Sequence, residues 1–366
     1  MTLLKDLYGF SFYDRLANVM SQCFTAFDRD RFITAVLPPG FEQLELKERM
    51  RHTTEVLHAF VPGDYKEAVI VLKQFIGKLR ENGFGEDKLE MMFLPDFLEV
   101  YGLDDFETSV EALEVFTQYV SCEFAVRPFI LRYGQRMLDE MFRWSAHPNW
   151  RVRRLASEGS RPRLPWAMAV PFLKKDPSPL LPILENLKED PSESVRRSVA
   201  NNLNDIAKDH PELVIEIARK WKGMSKETDA IIKHGCRTLL KQGHVRILKE
   251  YGLDSKGLEI SDFKVLNPKV QIGGDLEFSF VLHNRNQAAK LVRLEYGIYY
   301  RKAKGNLARK VFKISERLFD AERATEIHRK QSFRLITTRR YYTGEHKISL
   351  IINGEEKATA VFEITE

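Results

Sequence analysis

Cysteine is scarce in this 366-residue chain: Cys23, Cys122 and Cys236 are the only three, far apart and in no metal-ligand or redox spacing. A disulfide framework and a zinc site are therefore not expected, and a reducing compartment, the cytoplasm, is. No uninterrupted apolar stretch approaches the roughly 18 residues a membrane span needs, so no membrane is expected as partner. The opening segment MTLLKDLYGFSFYDRL carries charges inside its apolar run and has no cleavage-like region, which argues against a secretory signal. Gly-rich phosphate loops are missing as well, so no nucleotide cofactor is indicated.

What is present is an ordinary globular composition, 43% hydrophobic and 30% charged, at a length that suggests two or three domains. The formal net charge of +5 hides a strong asymmetry. Residues 1–125 hold 12 basic and 22 acidic side chains, whereas residues 126–366 hold 45 and 30. Within 126–175 there are 11 basic residues and 3 acidic ones, which makes a polyanion the expected partner of that region.

Up to about residue 250 the hydrophobic period is helical. Residues 11–27, 41–60 and 65–83 each place apolar side chains at i, i+3, i+4, and PPG (38–40), PG (62–63) and NG (82–83) fall where such helices stop. The pattern continues through ETSVEALEVFTQYVSCEFAV and PFILRYGQRMLDEMFRW to Trp144. His147-Pro148-(x)3-Val152-Arg153-Arg154 recurs as Asp190-Pro191-(x)3-Val195-Arg196-Arg197, a period matching a two-helix HEAT-type repeat, with a weaker third unit at TDAIIKHGCRTLLKQGH (228–244). Near residue 255 the period changes. DLEFSFVLHN, KLVRLEYGIYYRKA, ARKVFKISERLF, QSFRLITTRRYY, HKISLIING and KATAVFEIT read as short strands separated by turns. The expected fold is an all-α HEAT-like solenoid over 1–254, followed by an all-β immunoglobulin-like sandwich over 255–366.

In the helix beginning near Ser192, Val195, Val199, Leu203 and Ile206 form an inward stripe, and Arg197, Asn201, Asn204 and Asp205 gather on another face. Shifted by one repeat, Arg154 superposes on Arg197 and Glu158 on Asn201, so stacking lines up Arg154, Glu158, Arg197, Asn201 and Asp205 on a shared surface. The segment RVRRLASEGSRPRLPW (151–166) adds Arg151 and, on a turn or helix end at the rim, Arg161, Arg163 and Trp166. Arginines interleaved with an aromatic suit backbone clamping plus base or sugar contact. Glu158 is then an anion on a cationic surface, a placement that wants a task or a partner. The plainer readings are a solvated i, i+4 pair for Arg154 and Glu158, inter-repeat core for Trp144, Trp150 and Trp166, and Val-Arg-Arg arginines that merely pair with neighbouring acids. Lys233 and Arg237 in the third unit are further phosphate candidates, as are Arg339 and Arg340 in the sandwich, where an ordinary strand of alternating exposure explains TTRRYY equally well.

HPNWRVRRLASEGSRPRLPWA, SVRRSVANNLNDIAKDHP and IIKHGCRTLLKQGH resemble the bacterial DNA alkylation repair glycosylases of the AlkC group, relatives of AlkD, and the resemblance extends over the whole chain including the sandwich. It implies a monofunctional, cofactor-free monomer that hydrolyses the N-glycosidic bond of cationic bases such as 3-methyladenine and 3-methylcytosine in double-stranded DNA without flipping them into a pocket. It also implies that Glu158 in LASEG, Asp205 in NNLND and Glu123 in SCEF are the acidic residues at the lesion's deoxyribose, and that Trp166 contacts the lesion region. A cationic base leaves as a neutral molecule and needs little acid help, while carboxylates stabilise the oxocarbenium-like sugar and orient water. The alternatives are a HEAT array that binds nucleic acid without catalysis, or a protein scaffold.

Overall fold

A computed structural model of the chain describes residues 3–335 and 340–366. The helical part runs through α1 (Phe10–Met20), α2 (Arg29–Val36), α3 (Leu46–His58), α4 (Tyr65–Glu81), α5 (Phe93–Tyr101), α6 (Phe106–Phe116), α7 (Val126–Tyr133), α8 (Gln135–Trp144), α9 (Trp150–Gly159), α10 (Pro171–Lys175), α11 (Leu181–Leu187), α12 (Glu193–Ile206), α13 (Pro211–Trp221), α14 (Lys226–Gly235), α15 (Arg237–Gln242) and α16 (Val245–Glu250). Asp28, Asp64, Asp105 and Asn149 begin α2, α4, α6 and α9 by accepting a first-turn backbone N–H. Asn82-Gly83 ends α4 as its sequence suggests: Gly83 takes φ +75°, and the N–H groups of Gly83 and Phe84 return to the carbonyls of Arg80 and Leu79. The run to Trp144, which reads as one pattern in sequence, is broken at Gly134 into α7 and α8.

The repeat is visible in the packing. Val195, Val199, Leu203 and Ile206 are all buried, as their spacing predicts. The first arginine of each Val-Arg-Arg is structural. Arg153 donates to the carbonyls of His147 and Pro148 and reaches Asp190 at 2.5 Å, and Arg196 repeats the pattern on the carbonyls of Asp190 and Pro191. The other flank of α12 departs from the expectation of an exposed polar face. Asn202, Asn204 and Asp205 are buried, because α9, α11 and α14 all pack against α12 and leave its second half little surface.

The described chain divides into two compact units, Met1–Val214 with Lys220–Gly235, and Ile215–Arg219 with Cys236–Glu366. α15 and α16 thus belong with the strands. These are β1 (Leu258–Val265), β2 (Lys269–Gln271), β3 (Asp275–Asn284), β4 (Lys290–Arg301), β5 (Leu307–Phe319), β6 (Arg323–Ser332), β7 (Gly344–Ile352) and β8 (Glu355–Thr365). They form two sheets, ordered β1-β3-β6 and β2-β8-β7-β4-β5, antiparallel except for the β2–β8 pair. Phe278, Leu282, Ile298, Leu350 and Phe362 fill the core between them, giving an immunoglobulin-like sandwich. One expected strand is corrected. QSFRLITTRRYY contributes only its first two residues, to the end of β6, and leaves strand geometry at Phe333; Phe333 and Tyr341 turn into the core as loop residues, and the part over 336–339 lies outside the described residues.

No helix among the described residues is long and apolar enough to cross a membrane, and no group of three His, Cys, Asp or Glu among them is placed to hold a metal.

Candidate active site

The turn that follows α9 carries Arg161, and Arg161 organises the site. Its side chain does not face solvent at the rim but turns inward, leaving the residue 7% exposed. Nη1 donates to Glu158 Oε1 at 2.6 Å and Nε donates to Asp205 Oδ2 at 2.8 Å. Glu158 and Asp205 are themselves 6% and 2% exposed. Two carboxylates from successive repeats, which a helix projection places on one face, are therefore bridged by a single guanidinium in a nearly dry setting. Burial pulls the Arg161 guanidinium down, but the charges of Glu158 and Asp205 outweigh it and hold its pKa above the ordinary value. Asp205 is fully committed, since its Oδ1 accepts from Lys208 at 2.8 Å. Glu158 keeps Oε2, which receives no hydrogen bond from any described residue.

Glu123 stands apart from this pair. Its Oε2 forms an ion pair with Arg154 Nη1 at 2.8 Å and accepts from Ser121 Oγ at 2.9 Å, the hydroxyl to which Arg154 Nη1 donates. It lines a cleft of about 280 Å³ together with Asp87, Trp150, Arg151 and Arg154. Arg151 stacks over Trp150 and reaches Glu86 at 2.9 Å and Asp87 at 2.8 Å. The three acids are nonetheless electrostatic neighbours, for each acts on the same buried cation, Arg127.

Arg163 and Trp166 occupy the turn region expected for them. Arg163 forms an ion pair with Asp209 and donates to the carbonyl of Asp205 at 3.3 Å. Trp166 is 62% exposed and adopts φ +65°, a left-handed backbone uncommon for a large side chain. Its carbonyl accepts from Lys47, and its ring borders a cleft of about 530 Å³ shared with Arg51, Asp96, Glu99 and Phe124. Burial raises the Asp96 and Glu99 carboxyls above the usual carboxylate range, although Arg51 opposes this at both. Trp144 is core and Trp150 half-buried.

Arg197 is exposed and pairs with Glu193 at 2.6 Å, lining a cleft of about 380 Å³ with Arg196, Lys226 and His234. Asn201 accepts from His234 at 3.0 Å, Lys233 is exposed on α14, and Arg237 is exposed on α15 in the other unit. In the sandwich Arg340 is exposed over the Tyr342 ring, and Arg339 lies outside the described residues.

Sequence reasoning missed Arg127. It is 0% exposed, and its nitrogens donate to the carbonyls of Met168 at 2.6 Å, Gly159 at 2.8 Å and Arg161 at 2.9 Å. Burial first, and then the positive charge of Arg161, pushes its pKa down to about 10. The one hint in sequence is a lone arginine between apolar neighbours in AVRPFIL.

A family model described as DNA alkylation repair enzyme matches residues 117–231, the stretch that supplies Glu123, Arg127, Glu158, Arg161, Trp166 and Asp205. A second, described as the C-terminal Ig-like domain of the uncharacterised protein YhaZ, matches 259–366. The chain is 43% identical to the uncharacterised YhaZ of Bacillus subtilis (strain 168) over 366 residues, covering 100% of both. It is also similar to the Pseudomonas fluorescens alkylpurine DNA glycosylase AlkC, described bound to DNA containing an abasic site analog, with 36% identity, 100% of each chain covered and a TM-score of 0.86.

Proposed function

This chain belongs to the AlkC family of DNA alkylation repair glycosylases, and on that premise we propose that it excises cationic N-alkylated bases, 3-methyladenine and 3-methylcytosine among them, from duplex DNA without flipping them into a pocket. The observation that carries the reading is the buried trio of Glu158, Arg161 and Asp205. Arg161 and Lys208 take up the Asp205 carboxylate, while Glu158 shares only one oxygen with Arg161 in a site with little water to screen it. A base alkylated on a ring nitrogen is already a good leaving group, so the barrier lies in the positive charge that grows on the sugar. Glu158 has an oxygen free to face that charge or to hold the attacking water, while Asp205 and Arg161 fix its position. Glu123, held by Arg154 and Ser121, is the third acid of the site. Arg151, Arg154, Arg163 and Arg197 supply cations for phosphates, with Trp166 as the exposed aromatic against the lesion region. We assign the sandwich, through Arg340 and its other cations, to a secondary contact with the same DNA.

The test is release of bases from dimethyl-sulfate-treated duplex DNA by the purified protein with no metal added. Wild type should release 3-methyladenine, and Glu158→Gln should be slower by about 10²–10³, the usual cost of one preorganised electrostatic group. Equal release by the variant would move the chemistry to Asp205 or Glu123. Salt-dependent DNA binding without release would leave a nucleic-acid-binding protein.

A further inference from the structure

Arg127 sits on α7, between Glu123 before it and the turn that follows α9, and three of its five N–H donors have a visible purpose. Nη1 spans the carbonyls of Gly159, the last residue of α9, and Arg161, the residue that bridges the acids. Nε takes the carbonyl of Met168, two residues beyond Trp166. A single fully buried guanidinium thus ties the start of the 159–168 turn to its end. The remaining nitrogen, Nη2, is buried without a hydrogen-bond partner. Burying an arginine against carbonyls alone, with no acid in hydrogen-bonding contact, is a costly arrangement for a fold to keep.

The rest of the turn shows what is being held. It closes on itself through Val170 N–H to Pro162 and Ala167 N–H to Leu164, and from outside it is tied by Lys47 on the Trp166 carbonyl and by Arg163 on Asp209 and Asp205. Within it Trp166 keeps its left-handed backbone and exposed ring, and Arg161 keeps its fork over two carboxylates from different repeats. A turn of this length would otherwise be free to shift, and a displacement of an ångström at Arg161 would move both acids. At α9 the packing is equally tight, because a side chain at Gly159 would place its Cβ 2.6 Å from Val126 on α7.

We propose that Arg127 is a positioning residue for base excision: by clamping the carbonyls of Gly159, Arg161 and Met168 it sets the relation between the Glu158–Arg161–Asp205 trio and Trp166. This rests on the glycosylase reading of that site. Arg127 touches neither substrate nor the reacting atoms. Its part is to make Arg161 and Trp166 two ends of one rigid turn, so that DNA meeting the aromatic also meets correctly aimed carboxylates.

The experiment uses the full chain with Arg127→Ala and Arg127→Lys, with folding checked by circular dichroism. At saturating alkylated duplex, kcat of Arg127→Ala should fall about 10²-fold, the cost of a roughly 1 Å misplacement, while affinity for undamaged duplex and its salt slope stay at wild-type values. Millimolar guanidinium should restore kcat by refilling the cavity between the three carbonyls, and sodium chloride at matched ionic strength should not. Glu158→Gln should gain nothing from guanidinium. The emission of Trp166, isolated by difference from Trp166→Phe, should shift in Arg127→Ala and return with guanidinium. Arg127→Lys keeps the charge but lacks the fork that spans the carbonyls, so it should remain slow; should the alanine variant fail to fold, this variant carries the test. A folded variant with wild-type kcat and unchanged Trp166 emission would overturn the proposal and leave Arg127 a stability element. If wild type releases no base, the glycosylase reading fails, while the Trp166 signal still reports on the clamp.

Discussion

Arg161 holds together what two repeats deliver separately, and its removal is the sharpest test at the scale of one residue. Without it Glu158 loses the cation it is paired with in a buried space while Asp205 keeps Lys208, and breaking one buried pair typically costs about 3–5 kcal/mol. Arg161→Ala should therefore lower the denaturant midpoint of the helical unit. It should also slow base release from alkylated duplex, since the group that fixes Glu158 beside Asp205 is gone. Release at the wild-type rate would show that Arg161 does not govern the placement of the two carboxylates. Asp209 gives a milder case. Its hydrogen bond from Arg163 holds the carboxyl below the usual range, so the pair contributes stability above the ordinary carboxylate pKa and loses it as the pH falls through the lowered one. Both partners are partly exposed, so Asp209→Asn should cost less than about 1 kcal/mol at neutral pH and nothing in strong acid, as read from unfolding midpoints at the two pH values.

At the scale of elements, β7 carries a buried titratable ring. His346 is fully buried beside Tyr300 and Phe362, its Nδ1–H donates to the Gly344 carbonyl at 2.9 Å, and Nε2 has no partner. Burial, and then the charge of Arg301, depresses its pKa below the ordinary 6.5, against the opposing effect of the Gly344 bond. Because the folded state disfavours the proton, its contribution to stability is complete above pH 6.5 and is lost as the pH falls through the depressed value. The sandwich unit should melt at lower temperature at pH 5 than at pH 7.5, and His346→Phe should flatten that difference. Between β7 and β8, Gly354 takes φ +82° in the turn, and a Cβ there would lie 2.1 Å from the Gly243 carbonyl oxygen at the end of α15. Gly354→Ala should destabilise this unit by more than about 2 kcal/mol, measured by thermal unfolding, because both backbone strain and a backbone clash oppose it.

Across the whole molecule the charge asymmetry makes an electrostatic prediction. The net excess of 15 basic charges in residues 126–366 should appear as a steep decline of duplex affinity with salt. If the sandwich shares the DNA, Arg340→Glu should reduce both affinity and the salt slope without changing kcat at saturating DNA; an unchanged slope would remove that contact. Point substitution suits this question better than cutting the chain at 254. α15 and α16 lie in the same compact unit as the strands, and Asn353 in the β7–β8 turn donates to the Asp254 carbonyl at 2.6 Å, so the cut would strip the helices of their partners.

Much was legible in the chain itself. Hydrophobic period separated helices from strands, because burial imposes a repeat near 3.6 on one and near 2 on the other. The 43-residue recurrence exposed the stacked repeats, and strands β3, β4, β5, β7 and β8 stand close to where alternation placed them. Local sequence failed where long-range packing overrode it. Phe333 and Tyr341 left strand geometry to reach the core, and the polar flank of α12 became interior once three helices closed over it. The motif brought Glu158, Asp205, Glu123 and Trp166 into view as types of residue. Only the tertiary structure decided that Arg161 points inward to join two of them and that Arg127 holds the intervening turn, since a side chain's direction depends on partners dozens of residues away, which neither spacing nor composition encodes.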